Sequence, residues 1–337
     1  MHKLCLLLLF CGSVPALQAQ DSVVWATPNE KHKPIGRGLD INYTRIFSSR
    51  FKSEAKVDRL EDGEATLHSL DNIEYDLKLP IVLKERTKLL VGLEYTFDYY
   101  RFQNQEDLQY EFYSRLNKEG FKSRKLKFYF VHSLSSKNFI SIRTSAALNG
   151  NVSESKQPIY RFAKYSLAFI YGWQKSLTNS YGMGIYLDYT FGRPFAYPVF
   201  EWNRSWSKKW GFEAKLPAKF KLRYTPNDGL CFYGGYQVEG ISYRVVPEVE
   251  ETGFLEEYEI RRSDIKLSLA VEKCLYDFIW MGFEAGIDYN IRVDAQDGGS
   301  LYNNTDLLKS QLEPAPFINL FVFLVPTESI KRLIKGK

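Results

Sequence analysis

Four cysteines in 337 residues, none of them in a Cys-x-x-Cys pair, exclude a disulfide framework and the usual thiolate metal sites. Histidine is as scarce: His2, His32, His68 and His132 are the only four. Beyond residues 4–11 there is no long apolar run, and a spanning helix needs about 20 apolar residues. The mean hydropathy of −0.32 describes a chain without membrane helices. No phosphate-cradling glycine loop occurs. Gly182 and Gly184, like Gly282 and Gly286, recur at strand spacing, where they relieve crowding. Charge is nearly balanced, 45 Lys+Arg against 40 Asp+Glu, and no basic block is interleaved with aromatics, so nucleic acid is not expected as a partner.

What is abundant is aromatic: 23 Tyr, 24 Phe and 6 Trp make 16% of the chain. Tyr and Trp favour membrane–water interfaces, where ring and polar edge are both satisfied. The first residues read as a secretory signal: a basic start at Lys3, a short apolar stretch, and small residues before a cut after Ala19. Cys11 follows Phe10 and not a small residue, which disfavours a lipid anchor.

Period-two alternation is clearest over residues 163–192. Tyr165, Leu167, Phe169, Tyr171 and Trp173 share one parity, and Lys164, Ser166, Ala168, Ile170, Gly172 and Gln174 the other. After a polar break, Met183, Ile185, Leu187, Tyr189 and Phe191 oppose Gly182, Gly184, Tyr186, Asp188 and Thr190. Side chains alternate across a strand, so each run has one apolar and one polar face. Ten-residue runs with aromatic ends and a tight polar turn form the pattern of a transmembrane β-hairpin.

The same pattern predicts further strands near 37–47, 73–81, 89–97, 126–130, 140–146, 199–205, 230–245, 265–272, 279–289 and 317–325. Residues 210–224 make one strand or two. Pro217 cannot donate to a ladder, so splitting there gives fourteen strands and puts every long connection on one side. The expected fold is all-β: a single antiparallel transmembrane barrel of about fourteen strands, twelve being the alternative, with short periplasmic turns and long external loops. Long loops are expected at 48–69, 101–124 (with a helical turn around 106–115), 149–161, 247–257 and 293–312. The expected organisation is a signal peptide at 1–19, a periplasmic lead-in or small plug at 20–36, the barrel at 37–325 and a basic periplasmic tail at 326–337.

The chain resembles Bacteroidota-type outer-membrane β-barrel proteins, including an uncharacterised family of that kind. The resemblance is carried by the leader ending Gln18-Ala19-Gln20, by the repeated hairpins, and by Trp210…Leu216-Pro217…Tyr224 followed by Tyr243. It implies fold and a Gram-negative outer-membrane location, and no activity. One departure is the end of the chain: the apolar run 317–323 is followed by Pro326 and a basic tail instead of a terminal aromatic.

Candidate residues for chemistry are few. His132 beside Ser133 suggests a nucleophile–base pair, but it shares parity with Phe128 and Phe130 and should face outward near a short turn. His68 lies among Glu61, Asp62, Glu64 and Asp71, which suggests a hydrolase or metal site at the outer rim. A lumen closed by ion pairs accounts equally for Glu74, Asp76, Lys78 and Lys88. The residues expected to line the lumen are Glu94, Asp98, Lys164, Asp188, Lys219, Lys221, Arg223, Glu284 and Asp288; no catalytic residue, metal or cofactor is assigned. Lys219, Lys221 and Arg223 should form a basic stripe, opposed in a closed lumen by Glu213 or Glu239. Ala168 should face the lumen, and an arginine there should cost much less than one at Phe169 if the lumen is wet. Cys231 and Cys274 should point inward near the periplasmic rim of neighbouring strands.

The expected function is passive: a narrow pore, or a structural or binding barrel filled by its own side chains, monomeric, with outer-membrane lipid and small solutes or ions as partners. The alternative is an outer-membrane hydrolase acting on lipid or peptide at the outer rim.

Overall fold

The computed structural model describes residues 25–28, 36–58, 60–103, 117, 120–152, 158–190, 193–246, 257–298 and 305–326. The leader, most of the lead-in, the expected turn at 106–115, most of the 247–257 loop and the tail after residue 326 lie outside the described residues. So do His32 and the first two cysteines.

Sixteen strands form one antiparallel sheet: β1 (Leu39–Ile46), β2 (Ser49–Ala55), β3 (Gly63–Leu83), β4 (Thr87–Gln103), β5 (Phe121–Ser133), β6 (Asn138–Asn149), β7 (Ala163–Ser176), β8 (Asn179–Asp188), β9 (Phe195–Ser205), β10 (Trp210–Leu216), β11 (Lys219–Asn227), β12 (Leu230–Val245), β13 (Tyr258–Tyr276), β14 (Ile279–Asp297), β15 (Asp306–Leu312) and β16 (Ala315–Leu324). Two pairs are broken single staves. β1 and β2 both pair with β3, and β15 and β16 both pair with β14. The pairings of β1 with β16 (Tyr43 opposite Leu320) and β2 with β15 (Ser53 opposite Ser310) close the ring. The barrel therefore has fourteen staves. Pro314, which lacks an N–H group, falls at the break between β15 and β16, and Pro316 is the second residue of β16. Pro217 separates β10 from β11, as its missing donor requires.

Alternation holds through the apolar belt. Leu79, Leu93, Leu167, Phe169, Met183, Ile185, Leu187, Leu269 and Phe283 are all exposed on the outer face. At the short-turn end the outer face is aromatic: Tyr171 meets Trp173 at 4.9 Å, Trp202 meets Phe212 at 4.9 Å, and Trp210 meets Tyr224 at 4.6 Å. His132 belongs to this outer layer, parallel to the Phe130 ring at 6.2 Å and bonded through Nδ1 to Thr87 Oγ1 at 2.9 Å.

At the long-loop end the strands run further than alternation predicts. β3 begins at Gly63 and β14 continues to Asp297, so the expected loops at 48–69 and 293–312 contain β2 and β15. Many inward positions there are apolar: Leu67, Leu70, Phe102, Phe121, Val293 and Leu308 are all buried in one core inside the barrel, beside the inward pair Ser53 and Ser310. A strand with apolar inward positions loses the polar half of the period-two pattern.

β10 and β11 are the shortest uninterrupted staves, and their connecting turn is tight, so the wall is low there. Past the pair Lys219–Gln237, the Val238 N–H still donates to the Ala218 carbonyl at 2.7 Å, and beyond it, among the described residues, β12 has no ladder partner on the β11 side. Its tip tucks into the barrel with that of β13. Gly150 of the β6 end bridges Arg244, and Asn149 Nδ2 donates to the Ser242 carbonyl at 3.1 Å. Inward-facing Lys164 reaches Glu259, which lies on the outer face of β13, at 2.9 Å. The other face of the tips contributes Tyr243 and Ile260 to the apolar core, with Tyr243 stacked on Phe121 at 4.4 Å. Gly240 makes the tuck possible: a Cβ there would stand 2.2 Å from the Thr190 carbonyl.

At Ala168 the condition of a wet lumen is not met. It is 2% exposed, packed with Ile170, Tyr186, Tyr197 and Val199. Lys215 Nζ sits 3.7 Å from the Tyr186 ring centre and Arg143 donates to Tyr186 Oη at 2.8 Å, so side chains fill that side of the lumen.

Candidate functional site

Inside the barrel a cavity of about 1020 Å³ lies between the apolar core and the short-turn rim. It extends from Lys208 and Asp228 at the rim to Gln237, Lys266 and Phe317 at mid-height. Alternation builds its walls. β11 turns Lys219, Lys221 and Arg223 inward and Phe220, Leu222 and Tyr224 outward. β16, apolar on both faces, turns Phe317, Phe321 and Phe323 inward and Leu320 and Val322 outward. Between them stand Asn42, Thr44, Asn72, Gln237 and Asn319.

Near the rim, Arg37 reaches into the mouth from just before β1. It pairs with Asp40 and Glu272 and lies over the Phe323 and Phe321 rings at 4.1 and 4.8 Å. The described part of the lead-in holds the other side of the mouth. Ser133 Oγ donates to the Ala26 carbonyl at 2.6 Å, Thr27 N donates to Gln174 Oε1 at 2.9 Å, and Arg86 lies 3.6 Å from the Trp25 ring centre.

The nine residues expected in the lumen divide into separate groups. Lys219, Lys221, Arg223 and Glu284 line the cavity. Glu94 lies in an ion-pair network, with Lys125 at 2.6 Å and Lys127 in contact. Asp98 is at the base of the apolar core and accepts from Tyr243 Oη at 2.8 Å and from Asn72. Lys164 is occupied by Glu259, and Asp188 accepts from Tyr197 Oη at 3.2 Å and Thr190 N at 2.9 Å. Asp288 faces Arg262 at 3.6 Å. These last five residues hold the fold together and do not border the cavity.

Further cavity residues are Arg37, Glu239, Glu272 and Lys266, and the inward rings of β16. The inward parity of Phe321 and Phe323 could have marked a wall packed on both sides. The carboxylates of Glu74, Asp76 and Glu94 lie close enough together to hold a cation. Lys127 meets Asp76 at 3.2 Å as well as Glu94, and Lys78 meets Asp76 at 2.6 Å. Asp76 and Glu94 in that cluster are already paired with lysines. His68 at the exposed rim meets Gln103 at 3.3 Å.

Cys231 lies opposite Glu272 in the β12–β13 ladder, and the Cys274 N–H donates to the Gly229 carbonyl at 2.8 Å. The two cysteines are thus diagonal and not directly opposed, a separation of about 7 to 8 Å that is too wide for a relaxed bond. Both are free.

Residues 27–295 match the family model described as a domain of unknown function, DUF6268. No curated protein matches the chain. Among solved structures, an outer membrane channel from Pseudomonas putida F1 is 8% identical with a TM-score of 0.40, covering 92% of this chain and 100% of that one. A Pseudomonas aeruginosa FadL homologue is 7% identical with a TM-score of 0.34, covering 86% and 90%. The P. putida toluene transporter TodX is 8% identical with a TM-score of 0.31, covering 87% and 90%.

Proposed function

The chain belongs to the DUF6268 family, a domain of unknown function, and from its own geometry we propose that it is an outer-membrane channel held in a closed state. An exposed apolar belt with an aromatic girdle is costly in water and stable in lipid, and a closed ring of strands leaves no edge unsatisfied there. With the short turns on the periplasmic side, the cavity faces the periplasm and serves small hydrophilic solutes. It acts without chemistry of its own.

The observation that carries this reading is the division of the lumen. A polar cavity of about 1020 Å³ ends at an apolar core that includes Phe121 and Tyr243. Water and ions do not cross a dry apolar layer, so the channel conducts only when that layer is displaced. Planar-bilayer recording tests it. The wild type should stay near baseline, while Phe121→Ala combined with Tyr243→Ala should give stepwise ion conductance. A double variant that inserts with full β-structure yet never conducts would overturn the proposal.

A further inference from the structure

Resting on the reading of the cavity as a solute compartment, we infer that it binds zwitterionic solutes of short-peptide size, carboxylate toward Lys221 and ammonium toward Glu284. Most charges in the cavity wall cancel locally. Arg37 meets Asp40 and Glu272, and Lys266 meets Glu239 at 2.6 Å. Such pairs exert little net pull on a solute. Away from the exposed rim, where Lys208 and Asp228 stand, three groups are left over. Among the described residues, Lys221 has no carboxylate oxygen within 4 Å, and Glu284 and Glu74 have no cationic nitrogen within 4 Å. Glu284 has only neutral partners, Ser268 Oγ and Asn319 Nδ2, the latter at 3.4 Å.

Their positions set the size of the solute. Lys221 is on β11, Glu284 on β14 and Glu74 on β3, respectively three and six staves round the ring. At about 4.8 Å per stave, Lys221 and Glu284 are separated by about 14 Å of wall, and the chord between their inward-reaching side chains is shorter. An extended tripeptide, at about 3.5 Å per residue, spans about 10 Å, whereas a single amino acid cannot reach both.

The wall between the charges suits a peptide backbone. Asn42, Asn72, Gln237 and Asn319 present amides to the cavity, and the buried Asn319 Oδ1 has no hydrogen-bond partner. Isolated charges in a confined lumen are poorly solvated, so a solute carrying both counter-charges on one frame gains at both ends.

The test is calorimetric titration of the detergent-purified barrel, with Trp280 fluorescence as a second reading from the cavity wall. The probes are trialanine, N-acetyl-trialanine (carboxylate only), trialanine amide (ammonium only) and succinate. Trialanine should bind, with each blocked form weaker by about ten-fold or more. Lys221→Gln should abolish the preference for trialanine over its amide. Glu284→Gln should abolish the preference for trialanine over the N-acetyl form. Equal binding of trialanine and N-acetyl-trialanine would mean a plain anion site and would overturn the inference, as would an absence of binding by trialanine. If a variant fails to fold, the ligand series on the wild type still decides. Absent conductance with intact trialanine binding counts against the channel alone, and conductance without binding counts against this inference alone.

Discussion

Neighbouring residues on one strand have opposite fates here. Phe169 is 47% exposed on the outer face, while Ala168 beside it is sealed in a side-chain cluster. A wet inward position is found instead at Ala270, which borders the cavity. Phe169→Arg places a guanidinium near mid-bilayer and should cost about 2 to 4 kcal/mol. Ala270→Arg should cost much less, since its charge enters a polar compartment. Urea unfolding in lipid vesicles measures both, and equal losses would contradict the two-faced wall. Tyr243 illustrates a buried polar residue with one partner: Tyr243→Phe leaves Asp98 without that donor, a loss of about 1 to 3 kcal/mol in the same assay.

Among the strands, closure depends on two staves broken at the same level, next to Phe47 in one and Pro314 in the other. Each half keeps its register with the facing half, Ile41 opposite Val322 below the break and Ser53 opposite Ser310 above it. Ile41→Cys with Val322→Cys should therefore cross-link under mild oxidation, in a background where Cys231 and Cys274 are serine. Moving the second cysteine one place, to Phe321, puts it on the other face and should give no link. Efficient linking of the shifted pair would mean that the ring closes in a different register. The hairpin of β10 and β11 has a different role. Its low wall frees the β12 tip on one side, and the tip then seals the long-loop end from within.

Across the whole molecule, one end of the lumen is apolar and shut while the other is charged and reaches the rim. Access should therefore be one-sided. Lys221→Cys, again without the native cysteines, should react with a membrane-impermeant maleimide supplied from the short-turn side and resist it from the long-loop side. In cells this predicts labelling only after the outer membrane is permeabilised. Equal labelling of intact cells would mean an open lumen or an inverted orientation.

Period-two alternation and the positions of proline were enough to read the all-β class, fourteen staves, the split at Pro217 and the outward face of His132, because parity and ladder donors are local properties of a strand. The inward side of the β11 stripe was legible for the same reason. What surrounds an inward residue was not. Lys164, Asp98 and Asp288 have the same local pattern as Lys221 and Glu284, yet the first three are consumed by partners 95, 145 and 26 residues away, Glu259, Tyr243 and Arg262. The long-loop ends of β3 and β14, and all of β2 and β15, were read as loop because the membrane-belt pattern is missing there: in β2 and β15 the outward positions are polar, as Arg50, Lys52, Glu54 and Lys309 are, and the inward ones are apolar or small. Only the tertiary structure decided which inward positions are wet, since that depends on the tucked tips of β12 and β13, whose outer face becomes an inner surface once the low wall at Pro217 leaves the β12 tip without a ladder partner on that side.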